Sequence, residues 1–310
     1  MKNFTLSIIV PVYNEENNIE PFLKRLNQVV SKYNFEIIFI NDGSTDNTEN
    51  LIKKICEKNK NIKLISFTRN FGHQMALLAG YKFALGDVVA SIDADLQDPP
   101  ELIDEMIQKW QNGAKIVYAK RQQRQGETFF KLITAKLFYN LINFLSDVPI
   151  PNEVGDFRLL DKEVVNYLNN LKEKPEFLRG LVAWPGFTTD YVYFKREKRF
   201  SGKTHYSISK MVNLALNGIT SFSIKPLRLS TYFGFFVSLF AVLTVVIKSI
   251  QHFVFHQGDW LPGWASLFFS IVFLGGVQLI MIGIIGEYLG KIYKEIQNRP
   301  NFLIKEKINL

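Results

Sequence analysis

Two long apolar stretches constrain this chain more than any other feature of its sequence. Residues 230–250 contain one charge, Lys248, and residues 265–289 contain one, Glu287, each close to the end of its stretch. A helix of either length, at about 1.5 Å per residue, is roughly as long as the hydrocarbon core of a bilayer. The alternative is a buried helical hairpin in a soluble core, but neither stretch has an obvious polar face. The sequence therefore predicts two transmembrane helices.

The basic residues around these stretches predict the orientation of the helices. Residues 251–264 contain no Lys or Arg, whereas residues 191–230 contain eight against the single Glu197. The segment after the second stretch is also basic, with Lys291, Lys294, Arg299, Lys305 and Lys307. By the positive-inside rule, we expect a multi-pass protein of the cytoplasmic (inner) membrane with both termini in the cytoplasm. Trp260 and Trp264 would lie at the outer interface.

The chain's charge and cysteine content narrow the class of partner. Its net charge is +8, and the excess lies near the predicted membrane segments, which favours anionic membrane lipids or a phosphorylated lipid over nucleic acid. The amino terminus leads directly into a strand pattern, so we expect no cleaved signal peptide. Cys56 is the single cysteine, which excludes an intrachain disulfide. We interpret Cys56 and the isolated His73 as structural residues.

Strand and helix patterns alternate in the first part of the chain. Strands are predicted at residues 6–12, 35–40, 63–68, 87–92 and 115–119. Helices are predicted at residues 17–31, 45–59, 72–85 and 101–111. Connections this short, with right-handed crossovers, predict an α/β domain with a mostly parallel, doubly wound sheet of Rossmann type. In such sheets the ligands lie at the carboxyl ends of the strands.

Two later segments have the spacing of amphipathic helices. Residues 127–145 and 207–222 each combine a row of apolar residues with basic ones. Each is either an ordinary helix packed on the sheet or a helix lying at the membrane surface. Their proximity to the basic cluster and to the first apolar stretch favours the membrane surface.

Three residues that can bind a metal follow the fourth predicted strand. Asp93, Asp95 and Gln97 occupy alternate positions, which in an extended strand point to the same side. Two neighbouring carboxylates repel each other, and Mg²⁺ or Mn²⁺ bridging to a substrate diphosphate would offset that repulsion. The alternative is a polar turn that closes the strand.

The first two strands end in polar segments with different implications. Residues 11–16 are not glycine-rich, so the fingerprint of dinucleotide-binding dehydrogenases is absent. Asp42 follows the second strand, where its carboxylate could accept hydrogen bonds from a nucleobase or a ribose. Asp46 could equally cap the next helix, as could Ser44 or Thr45, so we single out Asp42 alone.

The motifs SIIVPVYNEE, INDGSTDNT, RNFGHQMALLAG and SIDADLQDPPELI occur in this order. Together they resemble the family 2 glycosyltransferases of GT-A fold. The later motifs GDFRLLD, FLRGLVAWPGF and REKRFSGKTHY, followed by two apolar stretches, look like polyprenyl-phosphate glycosyltransferases. These enzymes are bacterial relatives of dolichyl-phosphate mannose synthase.

The resemblance implies a role for each group of matching residues. The residues implied to hold the donor nucleotide are Pro11, Tyr13, Glu15 and Asp42. The residues implied to hold Mg²⁺ or Mn²⁺ are Asp93, Asp95 and Gln97. The residues implied to contact the acceptor phosphate are Arg121 and Lys131. The residues implied to be catalytic are Asp156, at the position of a base, and Arg199 and Lys203, in a mobile loop over the donor.

Other interpretations of these residues stay open. Asp156 could be a cap or an ion-pair partner of Arg158, and residues 196–203 could form a solvated or lipid-facing basic surface. His205 stands where relatives commonly have Lys, so one positive charge is missing. A phosphate acceptor is already anionic near neutral pH, so Asp156 would position more than it deprotonates.

The resemblance implies inverting transfer of a sugar from a nucleotide sugar, UDP-glucose being favoured, to an undecaprenyl-type phosphate at the cytoplasmic face. The product would be a lipid-linked sugar for modifying cell-envelope glycans. One alternative is a processive polysaccharide synthase, but its Gln-x-x-Arg-Trp motif and extra membrane spans are absent from the sequence. Another is a non-catalytic membrane scaffold, against which the intact acidic set argues.

The expected domain boundaries follow from these patterns. They are a cytoplasmic catalytic domain at 1–206, an interfacial helix at 207–228, two transmembrane helices at 229–290 and a cytoplasmic tail at 291–310. Glycines in the second apolar stretch would permit close helix contacts, and with them a homo-oligomer. These glycines are Gly275, Gly276, Gly283 and Gly286.

Overall fold

The computed structural model of the protein describes residues 4–121, 154–171, 177–195, 223–253 and 263–310, together with Glu173 and Thr220. The described residues form two compact units. The sheet unit contains the described residues up to 195 and residues 300–310. The hairpin unit contains the described residues from 220 to 299.

The sheet unit alternates strands and helices, as the sequence predicts. Its described strands are β1 (Thr5–Val12), β2 (Asn34–Asn41), β3 (Ile62–Phe67), β4 (Val88–Ser91), β5 (Ile116–Arg121), β6 (Val154–Asp161), β7 (Thr189–Phe194) and β8 (Ile304–Ile308). Its described helices are α1 (Ile19–Val30), α2 (Thr48–Lys58), α3 (His73–Phe83), α4 (Leu102–Gln111), α5 (Lys162–Asn170) and α6 (Leu178–Ala183).

The strands form one mixed sheet in the order β7-β5-β6-β4-β1-β2-β3-β8. Strands β6 and β8 run antiparallel to their neighbours, and the remaining strands are parallel to one another. The predicted mostly parallel, doubly wound α/β fold is therefore confirmed. Strand β6 was not among the predicted strands. It lies between β4 and β5 and brings residues 154–161 beside the end of β4.

Helices cover both faces of the sheet. One face packs against apolar residues of α1, α2 and α4, including Phe22, Ile52 and Met106. Helix α3 covers the other face, at very short distance. A Cβ added to Gly80 would lie 2.2 Å from Cγ2 of Ile9, so only glycine permits this approach. The close packing places the first residue of α3 at the carboxyl edge of the central strands.

The last strand, β8, lies within the segment 291–310 that is expected to be a cytoplasmic tail. It pairs antiparallel with β3 and forms the edge of the sheet. The ring of Phe302 stacks on Phe67 with centroids 5.0 Å apart. The amide of Asn309 donates to the carbonyls of Cys56 and Ile62, at 2.8 Å each. The chain therefore returns from the hairpin unit to complete the sheet.

The hairpin unit consists of α7 (Lys225–Phe253) and α8 (Gly263–Ile296), which contain the two predicted spans. Both helices are long and apolar enough to cross a membrane. Their apolar side chains are largely exposed, as expected of a surface that lipid covers. Hydroxyl groups in α7, such as Thr244 Oγ1, donate to the carbonyl four residues earlier, so these polar groups are satisfied within the helix.

The two helices of the hairpin unit approach each other at a glycine. A Cβ added to Gly234 would lie 3.2 Å from Cε of Met281. The glycines that are predicted to permit close helix contacts face open space within this chain, so their role in a homo-oligomer stays a prediction. At Gly275, Gly276, Gly283 and Gly286 an added Cβ would meet nothing within 4 Å. The predicted segments 127–145 and 207–222, apart from Thr220, lie outside the described residues, as does Trp260.

Candidate active site

Five neighbouring strands bring the predicted site residues to one edge of the sheet. Because β2, β1, β4 and β5 run in the same direction, their carboxyl ends meet at the same edge, and β6 begins there. Along this edge lie, in spatial order, Asp42, Tyr13, Asp93, Asp156 and Arg121. Four strand spacings correspond to about 19 Å. The edge is therefore wide enough for a nucleotide sugar and an acceptor side by side.

The loop after β1 is held against the loop after β2. The Glu15 backbone N–H donates to Thr48 Oγ1 at 2.9 Å, and the Thr45 N–H donates to Asn14 Oδ1 at 2.8 Å. Asn14 has a left-handed backbone with φ of 56°, which its amide contacts support. Pro11 is buried near the end of β1, and Tyr13, the first residue after this strand, is 40% exposed. An exposed ring at this position could stack on a nucleobase.

Acidic side chains organise the loop after β2. Asp46 Oδ1 accepts the Thr48 N–H at 3.0 Å, so it satisfies the first backbone donor of α2, although the residue at the N-cap itself is Asn47. Asp42 is buried and accepts the backbone N–H groups of Phe71 and Gly72, at 2.7 and 2.9 Å. Burial raises the pKa of Asp42, and these two hydrogen bonds oppose the rise. Asp42 thus fixes the turn that leads into α3, and its contact with a nucleotide stays a prediction.

The segment from Asp93 to Gln97 differs from the extended strand that the alternation predicts. Strand β4 ends at Ser91, and the following residues form a turn in which Leu96 has φ of 61°. Asp95 Oδ1 accepts the Gln97 N–H at 3.0 Å inside this turn. The prediction that these residues share one face of an extended strand is therefore wrong, because they lie in a turn that follows the strand.

Asp93 and Asp95 supply the hard oxygen ligands that a divalent cation prefers. Asp95 is buried, whereas the Asp93 side chain is 37% exposed. Desolvation by the surrounding protein raises the pKa of Asp93, and the negative charges of Asp156 and Asp95 raise it further. His73 and Arg121 act in the opposite direction. A cation bound here would relieve the repulsion, so the residues fit a metal. In the described part of the chain, no three His, Cys, Asp or Glu side chains form a metal cluster.

Asp156 lies at the centre of a network of cationic side chains. Arg179 donates to it from Nε to Oδ1 at 3.0 Å and from Nη2 to Oδ2 at 2.8 Å. Arg158 Nη2 is 3.4 Å from Oδ1, and His73 Nε2 is 3.4 Å from Oδ2. Burial raises the pKa of Asp156, but the charges of Arg179, His73 and Arg158 outweigh burial and hold it well below the usual range. Asp156 is therefore an ionised carboxylate near neutral pH.

His73, which we interpreted as structural, lies between the two acidic groups of the site. Its Nε2 is 3.6 Å from Asp93 Oδ1, in addition to its contact with Asp156. Burial lowers the pKa of His73, but the two carboxylates outweigh burial and raise it to about 9. The motifs RNFGHQMALLAG and FLRGLVAWPGF contain His73 and Arg179, so the signal was present in the sequence. The residues that each would contact were not evident there.

Arg158 supports this network from inside the sheet. Its side chain is fully buried, and Nε donates to the Tyr81 hydroxyl at 3.2 Å. The Tyr81 hydroxyl donates to Ser91 Oγ, which donates to the backbone carbonyl of Asp156 at 2.6 Å. These contacts join α3, β4 and β6 directly beneath the carboxylate. The alternative role of Asp156 as an ion-pair partner of Arg158 is thus part of the structure.

Arg121, the residue predicted to contact the acceptor phosphate, lies on the far side of Asp156 from the donor loops. Its Nη2 is 3.9 Å from Asp98 Oδ1, and its side chain is 34% exposed. A Cβ on Gly155 would lie 3.2 Å from the same Nη2, so the glycine leaves room for the guanidinium. Lys131, Arg199 and Lys203 lie outside the described residues.

Comparisons with known proteins cover both units of the chain. The model of the glycosyl transferase family 2 matches residues 7–168, and the model of the GtrB C-terminal hairpin matches residues 225–292. A glycosyltransferase of Synechocystis with no characterised function is 46% identical over 97% of this chain and 95% of its own length. A bactoprenol glucosyl transferase from a prophage of Shigella flexneri is 46% identical over 97% of each chain.

Among solved structures, the chain is similar to glucosyl-3-phosphoglycerate synthase of Mycobacterium tuberculosis, crystallised with Mn²⁺, UDP-glucose and phosphoglyceric acid. The TM-score is 0.47 at 19% identity, and the match covers 70% of this chain and 78% of the other.

Proposed function

The chain belongs to glycosyltransferase family 2, and from this premise we propose that it transfers a sugar from a nucleotide donor to the phosphate of a polyprenol. UDP-glucose is the favoured donor, and an undecaprenyl-type phosphate at the cytoplasmic membrane face is the favoured acceptor. The product is a lipid-linked sugar for cell-envelope glycan modification.

One observation carries this proposal. The similarity to the bactoprenol glucosyl transferase of Shigella flexneri extends over 97% of both chains. It therefore includes the acidic edge of the sheet and the apolar hairpin together. A sheet edge with carboxylates suits a nucleotide sugar, and an apolar hairpin suits an acceptor that resides in lipid.

The donor would occupy the loops after β1 and β2. Pro11, Tyr13, Glu15 and Asp42 surround that position. Asp93 and Asp95, with Gln97 beside them, would hold Mg²⁺ or Mn²⁺. When bound, the ion supplies a positive charge that stabilises the departing diphosphate. Its identity is part of the proposal, as is the dependence of activity on it.

The reaction is a single displacement with inversion. An oxygen of the polyprenyl phosphate forms a bond to the anomeric carbon of the sugar. The bond between that carbon and the diphosphate oxygen breaks, and its electron pair leaves with the nucleoside diphosphate. The acceptor oxygen is already ionised near neutral pH, so no base is needed to remove a proton from it.

Basic residues would guide both phosphates. Arg121 lies beyond Asp156 from the donor side, where an incoming phosphate would approach, and a guanidinium matches phosphate oxygens with two parallel hydrogen bonds. Lys131 would assist it. Arg199 and Lys203 would close over the donor diphosphate.

The test uses purified protein in lipid with undecaprenyl phosphate and a panel of nucleotide sugars, followed by chromatography of the lipid products. We expect one donor to give a lipid-linked sugar and Asp95→Ala to abolish transfer while membrane insertion persists. Excess EDTA should abolish transfer by the unmodified protein. Full activity in EDTA would contradict the metal role, and no lipid product with any donor would contradict the proposed function.

A further inference from the structure

The contact between Arg179 and Asp156 is the most closely defined ion pair of the candidate site. Two different nitrogens of one guanidinium each reach a different oxygen of one carboxylate, at 3.0 and 2.8 Å. Such a two-point contact fixes the plane of the carboxylate as well as its position. Arg179 itself is held in place, because the neighbouring Leu178 N–H donates to Gln74 Oε1 in α3 at 3.0 Å.

The charges around Asp156 exceed its own. Arg158 lies 3.4 Å from it in the interior, and His73 lies 3.4 Å from it on the side of Asp93. The negative charge of Asp156 is therefore compensated by the cationic side chains around it. A bare carboxylate between the sugar and the acceptor would repel a polyprenyl phosphate, which carries a charge of about −1.5 to −2 at neutral pH.

A fixed anion at this position also has a favourable role. As the diphosphate leaves, the anomeric carbon gains positive charge in an oxocarbenium-like transition state. A carboxylate that is oriented in advance stabilises that charge without reorganising during the reaction. A carboxylate that is free to rotate would stabilise this charge less well, and one without compensating cations would repel the acceptor.

We propose that Arg179 is a positioning residue for sugar transfer, which holds Asp156 as a fixed, charge-compensated carboxylate between the donor sugar and the acceptor phosphate. This inference rests on the proposed function and adds a residue to it. Arg179 acts through Asp156, so its loss should impair the acceptor and the chemical step but not the binding of the nucleotide sugar.

The experiment compares Arg179→Ala with a matched control. Arg25 forms the same two-point contact with Glu101, at 2.7 and 2.9 Å, and its side chain is 27% exposed against 28% for Arg179. The Arg25 pair joins α1 to the residue before α4, and neither of its residues contacts Asp156. Arg25→Ala therefore removes an ion pair of the same two-point geometry, although its carboxylate is more exposed, without touching Asp156.

We expect Arg179→Ala to lower kcat by about 100-fold, the typical cost of a misplaced catalytic group. The KM for polyprenyl phosphate should rise, while the KM for the nucleotide sugar changes less than about two-fold, since it is the acceptor that meets a carboxylate without the cation that contacts both of its oxygens. Added guanidinium should restore part of the activity. Arg179→Lys should recover only part, because an ammonium cannot hold both oxygens in one plane.

Binding of UDP with Mn²⁺, measured by calorimetry, supplies a readout other than turnover. Unchanged binding in Arg179→Ala, together with rescue by guanidinium, supports positioning. The proposal is wrong if Arg179→Ala resembles Arg25→Ala in kcat, if guanidinium gives no rescue, or if the variant loses UDP binding. An unmodified protein that makes no lipid product contradicts the proposed function instead, so the two failures are distinguishable.

Discussion

At the scale of single residues, the site depends on buried charges that compensate one another. Arg158 is fully buried in β6, and Asp156 supplies the carboxylate that faces it. Breaking a buried ion pair by removing one partner is costly, because the remaining charge loses its compensation. Asp156 therefore has a structural role in addition to any role in transfer.

This double role gives a prediction for Asp156→Asn. We expect the variant to lose transfer and also to unfold more readily, by about 3 kcal/mol in the free energy of unfolding. That change corresponds to a thermal midpoint lower by several degrees for a domain of this size. Thermal unfolding in detergent, followed by circular dichroism, measures it.

The control for this variant is Asp190→Asn. Asp190 pairs with Lys109 at the surface, where its side chain is 45% exposed, so the same substitution should cost at most about 1 kcal/mol. Equal thermal midpoints for Asp156→Asn and Asp190→Asn would show that Asp156 does not compensate Arg158.

The residues of the site differ in how far the sequence could predict them. Asp42, Asp93 and Arg121 lie at the carboxyl ends of strands that run in one direction, and such strands end at one edge of the sheet, so their proximity was predictable. The pairing of His73 with Asp93 and Asp156 was not, because it depends on how α3 packs on the sheet. Lys131, Arg199 and Lys203 lie outside the described residues, so their roles stay predictions.

At the scale of helices and strands, local patterns predicted the first nine elements of the sheet unit and missed its later ones, which are β6, α5, α6, β7 and β8. The regular alternation up to residue 119 carries a strong periodic signal. Strand β6 lies outside this regular alternation, and its direction is determined by its pairing with β4 and β5. Strand β8 follows an apolar helix and is rich in lysine, so its sequence alone is typical of a solvated tail. It forms a strand because it pairs with β3.

The pairing of β8 with the sheet can be tested through the rate at which the single cysteine, Cys56, is labelled. Cys56 is fully buried, and burial raises the pKa of its thiol to about 11. At pH 8 the thiol is therefore almost wholly protonated, and the thiolate is the reactive form. Ile308 in β8 packs against the core cluster that contains Cys56. Labelling by a small thiol reagent should thus be slow and should depend on detachment of β8.

Asn309→Ala removes the two hydrogen bonds that end this strand. Their loss is worth about 1–2 kcal/mol, so we expect labelling of Cys56 at pH 8 to become about 5 to 30 times faster. Asn50→Ala, on the exposed side of α2, serves as the control and should label at the unmodified rate. Identical rates for the two variants would mean that β8 does not protect the thiol.

At the scale of the whole molecule, chain connectivity restricts the membrane topology. Helix α7 begins after the sheet unit, and the chain returns from α8 to the same unit through β8. If both helices cross the membrane, the start of α7 and the end of α8 are on one side of it, and the connection between the two helices is on the other. The charge asymmetry then decides which side is the cytoplasm.

Cysteine labelling in intact cells tests this orientation. A membrane-impermeant maleimide added outside should label Gln257→Cys, because residues 251–264 carry no Lys or Arg and are expected to be extracytoplasmic. Lys294→Cys should label only after the cells are lysed, whereas the buried native Cys56 should label slowly both before and after lysis. The reverse pattern would place the sheet unit outside and remove its access to cytoplasmic nucleotide sugars.

The position of β8 in the chain has a consequence for biosynthesis. The ribosome completes this strand only after both helices of the hairpin have been made. Until then β3 has an unpaired edge, and such edges invite pairing with other chains. Closure of the sheet must therefore wait for translation of the hairpin. A chain whose translation stalls before residue 304 would contain the acidic site at the carboxyl ends of the strands. It would lack β8, the strand that pairs with β3.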